Sequence, residues 1–338
     1  MTEYLDKPPA PNSLAGKFPV DDAFCLVGTA AADYPAAYGM SRRLIGQLSD
    51  GLVEIDNAVL QGPDPAAPGT TTLAARAYVR RAHSGPYGLV NSEEGFGSLS
   101  RFLFGDVRIA GDLLVRQVEL PPDLAEIKRQ ADDAGKDAGI RASYSFEVFL
   151  RVRGVRWALT ERMVRDGSAI FRKFDELLPA KRAAPEITRT APMKAEAVRH
   201  QHIGLFDAFL DTGFRAPDDE AEPVQGRQIK GTLGFALRLR AAVPDYEVAR
   251  RFWPDTHYEG SSLFDRDMVF LTYPDPAVTG GWGLAYGPNH PDTGNTRLQI
   301  VEDESAAIPE EVPDNARAFR RVASPTAIEY WIPLTEPG

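Results

Sequence analysis

The chain has 338 residues, enough for two ordinary domains and a sizeable core. Hydrophobic residues make up 43% and charged residues 25%, the composition of a globular, soluble protein and not of a disordered one. The formal net charge of -10 argues against nucleic acid as a partner, because phosphate binding needs a basic surface, and it weakens any electrostatic attraction to anionic membranes.

Residues 1–20 contain Pro8, Pro9, Pro11 and Pro19 without periodicity, and read as a linker or extended N-terminus. No basic region followed by an apolar one lies between Met1 and Val20, and no apolar run nears the roughly 18 residues of a membrane span. A cytoplasmic chain without a transmembrane segment is expected. Phe24 to Thr29 reads as a buried parallel strand. The sole cysteine, Cys25, lies in this run, so no intrachain disulfide forms, and it reads as a small buried hydrophobe.

Residues 30–49 are small and turn-rich, with a candidate helical stretch around Arg42 to Leu48, and Asp50-Gly51 then sits at a turn. Leu52 to Leu60 reads as a short helix or strand, Gln61 to Gly69 as a loop, and Arg76 to Arg81 as a second strand. His83-Ser84-Gly85-Pro86-Tyr87-Gly88 is a loop. Asn91-Ser92 caps a helix whose first turn holds Glu93 and Glu94. Phe96, Leu99, Phe102 and Leu103 follow helical spacing, and Gly105 stops it.

Val107 to Gly139 holds a short strand and then a polar stretch, with a connecting segment placed at 121–139. Beyond it the character changes. Tyr144, Phe146, Val148, Leu150 and Val152 alternate with Ser145, Glu147, Phe149 and Arg151, which is strand period. Gly154 separates this run from a hairpin partner at Val155, Trp157 and Leu159. Further strand-like runs follow, including His202 to Leu210, Leu233 to Leu239, Leu263 to Tyr273 and Trp282 to Tyr286. Many short strands and few helical patterns predict an antiparallel, sandwich-like β domain over 140–338. The expected fold is therefore an α/β segment over 21–120 followed by an all-β domain.

The candidate chemistry lies in the first part. A hydrolytic histidine shuttles a proton and needs a carboxylate to hold its ring in one tautomer. Asp50 and His83 are candidates for that pair. In a parallel sheet, loops after neighbouring strands emerge at the same edge, so the order strand, acid, strand, histidine, helix lets the two side chains meet.

Phe24-Cys25-Leu26-Val27-Gly28-Thr29, Ser49-Asp50-Gly51-Leu52-Val53 and Ala77 to Gly88 together resemble the C-terminal third of bacterial α/β-hydrolases of the lipase/esterase type. The resemblance spans roughly residues 21–105. It implies a partial α/β-hydrolase sheet, Asp50 as the triad acid and His83 as the base, an ester or lipid substrate, and neither cofactor nor metal.

The chain departs from that family in one respect. The nucleophile elbow G-x-S-x-G is missing: Gly39-Met40-Ser41 and Gly260-Ser261-Ser262 begin it, but Arg43 and Phe264 stand where the closing glycine belongs. A triad without its nucleophile loses its covalent mechanism. Three readings follow: the C-terminal part of a longer hydrolase, a half-enzyme that needs a separately encoded N-terminal hydrolase half, or a non-catalytic binding or scaffold protein whose β-rich domain holds a partner or ligand.

The remaining candidates have plainer explanations. His200 and His202 would share a strand face, yet no further ligand stands at a metal-binding spacing. Asp265-Arg266-Asp267 reads as a surface turn rather than a calcium loop. Trp253, His257 and Tyr258 read as core aromatics before pocket aromatics, and Arg238, Arg240, Arg250 and Arg251 as a solvated face.

Overall fold

The computed structural model describes residues 12–14, 16–30, 53–64, 71–115, 120–177, 202–248, 256–277, 281–289, 298–301 and 318–320. Strand β1 (Phe24–Gly28) lies beside β4 (Ala75–Val79) in parallel, with Phe24 opposite Ala75 and Gly28 opposite Val79. Strands β2 (Gln61–Pro63) and β3 (Thr71–Leu73) form a small antiparallel pair before β4. Helix α1 (Glu93–Phe104) follows β4, and Ser92 Oγ accepts the Gly95 N–H at its start. The next strand, β5 (Val107–Leu114), is followed by α2 (Pro122–Asp133).

Strands β6 (Ile140–Val152) and β7 (Ala158–Arg162) then form an antiparallel hairpin, and β8 (Ile170–Lys173) pairs with the first half of β6 before the short helix α3 (Phe174–Leu177). Strand β9 (His202–Leu210) returns to β5. The hairpin β10 (Glu222–Val224) and β11 (Arg227–Ile229) precedes two long strands, β12 (Leu233–Val248) and β13 (Thr256–Pro274). Strands β14 (Trp282–Pro288), β15 (Gln299–Val301) and β16 (Ala318–Arg320) complete the described elements.

The expected division into a partial α/β-hydrolase sheet and a separate antiparallel sandwich is overturned. The protein is mostly β. One nine-stranded mixed sheet runs β1-β4-β7-β6-β12-β13-β14-β15, with β8 on β6. The physical reason lies at β7. Its inner edge pairs with β6, and its outer edge meets β4 in parallel at Tyr78 and Thr160. Each strand edge would otherwise leave backbone N–H and C=O groups without partners, so joining them satisfies both. The Thr29 hydroxyl reinforces the junction from β1, lying 3.2 Å from the Val79 carbonyl and 3.3 Å from that of Glu161.

A second, three-stranded sheet, β16-β5-β9, crosses the same division, because β5 and β9 come from either side of the expected boundary. It packs across the large sheet. Ile109, Leu113, Ile203 and Leu205 share one buried cluster with Val148, Leu150, Leu237 and Leu239. The alternation read from β6 supplies one strand of the large-sheet half of this core, and β12 and β13 supply others.

Candidate functional site

The candidate site lies at the carboxyl ends of β1 and β4. Beyond the strands the pairing continues for two residues: the Thr29 N–H donates to the Val79 carbonyl at 3.0 Å and the Ala30 N–H to the Arg81 carbonyl at 3.2 Å. Next comes the loop bearing His83, which leaves the end of β4 and returns to α1.

Backbone hydrogen bonds hold this loop tightly. The Ala82 N–H donates to the Tyr87 carbonyl, the Leu89 N–H to the Ala82 carbonyl and the Gly88 N–H to the Gly85 carbonyl. The Asn91 side-chain amide donates to the Gly85 carbonyl at 2.9 Å. Gly85 has φ +90, a left-handed conformation that glycine adopts without steric cost. At Gly88 a Cβ would stand 2.6 Å from the Ser84 backbone, so only glycine closes the turn. His83 is half-buried within this frame.

Arg81 joins the loop to the helix. Its guanidinium forms a two-pronged contact with Glu94, at 2.7 and 3.1 Å. Partial burial disfavours the Glu94 carboxylate, but hydrogen bonds from Arg81, its own backbone N–H and Ser92 outweigh it, so its carboxyl lies below the usual range.

Asp50, the expected acid, lies outside the described residues, as do Ser41, His200, Trp253, Arg250 and Arg251. The chain is described again from Val53, and Ile55 is buried in one cluster with Val27 of β1 and Tyr78 of β4. Cys25 is buried there too. Its Sγ accepts the Leu60 N–H at 3.3 Å, and burial pushes the thiol pKa up, as befits an inert packing residue.

The other sequence candidates separate. Asp265-Arg266-Asp267 lies in the middle of β13 and not in a turn, which corrects the expectation. The three residues stand opposite Arg240, Leu239 and Arg238, and Asp265 pairs with Arg238 at 3.0 Å on an exposed face. Arg240 reaches Glu147 at 3.4 Å on the same sheet, so these two arginines form the solvated face that was expected. His202 opens β9, and His257 and Tyr258 stand opposite Glu247 and Tyr246 in β13. Among the described residues no group of three His, Cys, Asp or Glu side chains is placed to hold a metal ion. No helix among them is long and apolar enough to cross a membrane.

Two features escaped sequence reasoning. The first is a buried charge cluster between the two sheets, near the start of β4. Arg76 of β4 donates to Asp207 of β9 at 3.1 Å and to the Tyr78 hydroxyl at 3.1 Å, while Arg108 of β5 donates to the other Asp207 oxygen at 2.7 Å. Burial works against the Arg76 charge, yet Tyr78 and the carboxylates of Asp207 and Asp112 outweigh it and push its pKa further up. The available signal was an arginine inside the apolar run Ala75–Val79.

The second is the outer face of α1. Its inner face packs Phe102 onto Phe24 at 4.8 Å and edge-on to Phe209 at 5.3 Å. Its outer face carries Phe96, Leu99 and Leu103 at helical spacing, 73%, 44% and 59% exposed, and Phe104 at its end is exposed too. Sequence spacing found Phe96, Leu99 and Leu103 on one helix but did not say which face of that helix stays exposed. Nearby, β1 ends the large sheet, and among the described residues only β4 pairs with it.

Fold and site together define a mostly β protein whose mixed sheet ends, among the described residues, in a parallel margin, where a hydrogen-bonded histidine loop leads into a helix with exposed apolar side chains. No protein-family model, no curated protein and no solved structure matches this chain.

Proposed function

We propose that this chain supplies the proton-shuttling half of a carboxylic-ester hydrolase of the lipase/esterase type. His83 is the base and Asp50 the carboxylate that orients it. The attacking serine comes from polypeptide outside this sequence. The observation that carries the reading is the position of His83: it stands on a hydrogen-bonded loop at the carboxyl ends of two adjacent parallel strands, where side chains from successive loops converge. In the proposed reaction the serine attacks the ester carbonyl as His83 takes its proton. His83 then returns that proton to the leaving alcohol, and water releases the acyl group by the same steps in reverse roles.

Two features beside the loop support a missing partner. The apolar face Phe96, Leu99, Leu103 is large for an exposed helix. Parallel strands are ordinarily buried among further strands and helices, whereas β1 ends the sheet among the described residues. A partner adding a strand to β1 and a helix to α1 would cover both and bring a nucleophile to the same edge.

The test begins with the chain alone. Proton NMR should show a downfield ring N–H resonance from His83 that disappears in Asp50→Asn, and p-nitrophenyl butyrate should not turn over. Co-expression with the polypeptide encoded directly upstream should restore turnover, and His83→Ala should then lower it by about 10³-fold or more. Ester turnover that survives His83→Ala, or a His83 resonance indifferent to Asp50→Asn, overturns the assignment.

A further inference from the structure

At the far side of the large sheet the β10–β11 hairpin turns on Gln225 and Gly226, with φ 49 and 80, the two left-handed positions of a tight hairpin turn. It folds back over the sheet. Val224 and Ile229 pack with Leu271, Tyr273 and Ala285 in a small buried cluster. Between this hairpin, the turn around Arg215 and Asp218, and the chain leaving β13 lies a cavity of about 390 Å³. That volume falls within the range of small-molecule sites.

Its wall is rich in charge. Arg215, Arg227 and Lys230 supply three cations, and Asp218 and Asp275 two carboxylates. Arg227 is committed to Asp275 at 3.2 Å, and buried Asp275 also accepts the Ala277 N–H at 3.0 Å. Arg215 and Lys230 form no ion pair among the described residues, so they face the cavity with only Asp218 to offset them. A cavity with one positive charge in excess stands out in a chain whose net charge is -10.

Gly231 keeps the cavity open. A Cβ there would lie 3.7 Å from both Arg215 Cδ and Pro274 Cδ, and 3.8 Å from Asp218 Oδ1. Its φ of +62 also favours glycine. Side chains from two of the walls thus converge on a residue that has none.

We infer that this cavity binds a small hydroxylated organic anion. Its acidic group, a carboxylate or a phosphate, lies between Arg215 and Lys230, where a guanidinium fork and an ammonium both donate. A hydroxyl of the ligand donates to Asp218. The inference does not depend on the hydrolase reading, since the cavity and the His83 loop use no residue in common.

The experiment is calorimetric titration of the full chain with citrate and with glycerol 3-phosphate at fixed ionic strength. Saturable binding of at least one probe is expected, and which one binds separates carboxylate from phosphate recognition. Arg215→Ala and Lys230→Ala should each weaken it about tenfold, the effect of losing one charge-assisted contact. Gly231→Asn, which tolerates the left-handed backbone, should abolish binding by filling the floor. If that variant does not fold, the two exposed-cation variants decide alone. No saturable binding of either probe, or binding that both cation variants leave unchanged, overturns the inference.

Discussion

Arg76 and Asp207 meet at 3.1 Å across 131 residues of sequence, and their side chains are only 9% and 4% exposed. The pair joins β4 of the large sheet to β9 of the small one and fixes the stacking of the two layers at the start of β4, the strand whose other end leads into the His83 loop. Gly204 makes room for it, because a Cβ there would come 2.4 Å from Arg76 Nη2. Arg108 shares the same carboxylate, so Asp207 balances two guanidinium groups at once.

Asp207→Asn should therefore be severely destabilising. It leaves two arginines facing a neutral amide in a buried site, and breaking a buried pair from one side costs about 3–5 kcal/mol. Arg238→Ala is the contrast. Its partner Asp265 is also within hydrogen-bond reach, but both side chains are largely exposed, and such pairs contribute about 0–1 kcal/mol. Urea unfolding of the two variants beside the parent measures both. Equal losses would mean that the buried cluster does not hold the layers together.

A second prediction concerns the loop. Gly88→Ala places a methyl group 2.6 Å from the Ser84 backbone, which is rigid main chain and not the end of a flexible side chain. The loop must shift, at a cost of about 1–3 kcal/mol. The His83 ring resonances should move in the NMR spectrum while those of α3 and β13 stay in place. A variant with parental stability and an unmoved His83 would show that the loop is not locked.

The sequence made these local features legible and concealed the arrangement around them. The Ser92 cap, the Gly105 stop and the alternation in β6 are local patterns, set within a few residues by hydrogen-bond geometry and side-chain period, and each stands where the pattern placed it. The edge partner of β7 is not local. Nothing in Ala158–Arg162 says whether its second edge meets β4 or solvent, and that one choice turns two expected domains into one sheet. The same limit applies to Asp265-Arg266-Asp267. Its polar character suggested a turn, but alternate exposed positions on a strand bear charges equally well. The loop that carries His83 was legible, because glycines at fixed offsets mark a constrained turn. Arg76 was overlooked because a charged residue inside an apolar run acquires meaning only from a partner far away in sequence.

The pH dependence of stability should carry a Glu94 component. Its carboxyl lies below the ordinary 4.5 in the folded state. A depressed carboxyl contributes stability that is fully present above its unfolded pKa and lost as pH falls through the folded one. The gap in melting temperature between the parent and Glu94→Gln should thus be constant at neutral pH and close as pH drops below about 4.5. Glu94→Gln should also loosen Arg81 and, through it, the start of the His83 loop. A gap that widens on acidification would reverse the sign and refute the assignment.

The outer face of α1 supports the last prediction. Leu99 and Leu103 lie one turn apart beside the face that carries Phe102, and exposed Phe96 and Phe104 extend the same apolar strip. Leu99 and Leu103 are 44% and 59% exposed and contribute less to folding than core residues, so Leu99→Glu with Leu103→Lys should cost no more than about 1 kcal/mol. The new charges stand four apart in the favourable order, Glu before Lys, which adds slight helix support. Two further properties should change together. Binding of a hydrophobic dye should fall, because the strip is the large exposed apolar patch beside the site. On the proposed function, in which a partner docks on this face, recovery of ester turnover on co-expression with the upstream polypeptide should fail. If the double variant unfolds, the strip is packed within this chain. If it folds, loses dye binding and still supports turnover, the partner approaches by the β1 edge alone, and the helix face has no part in assembly.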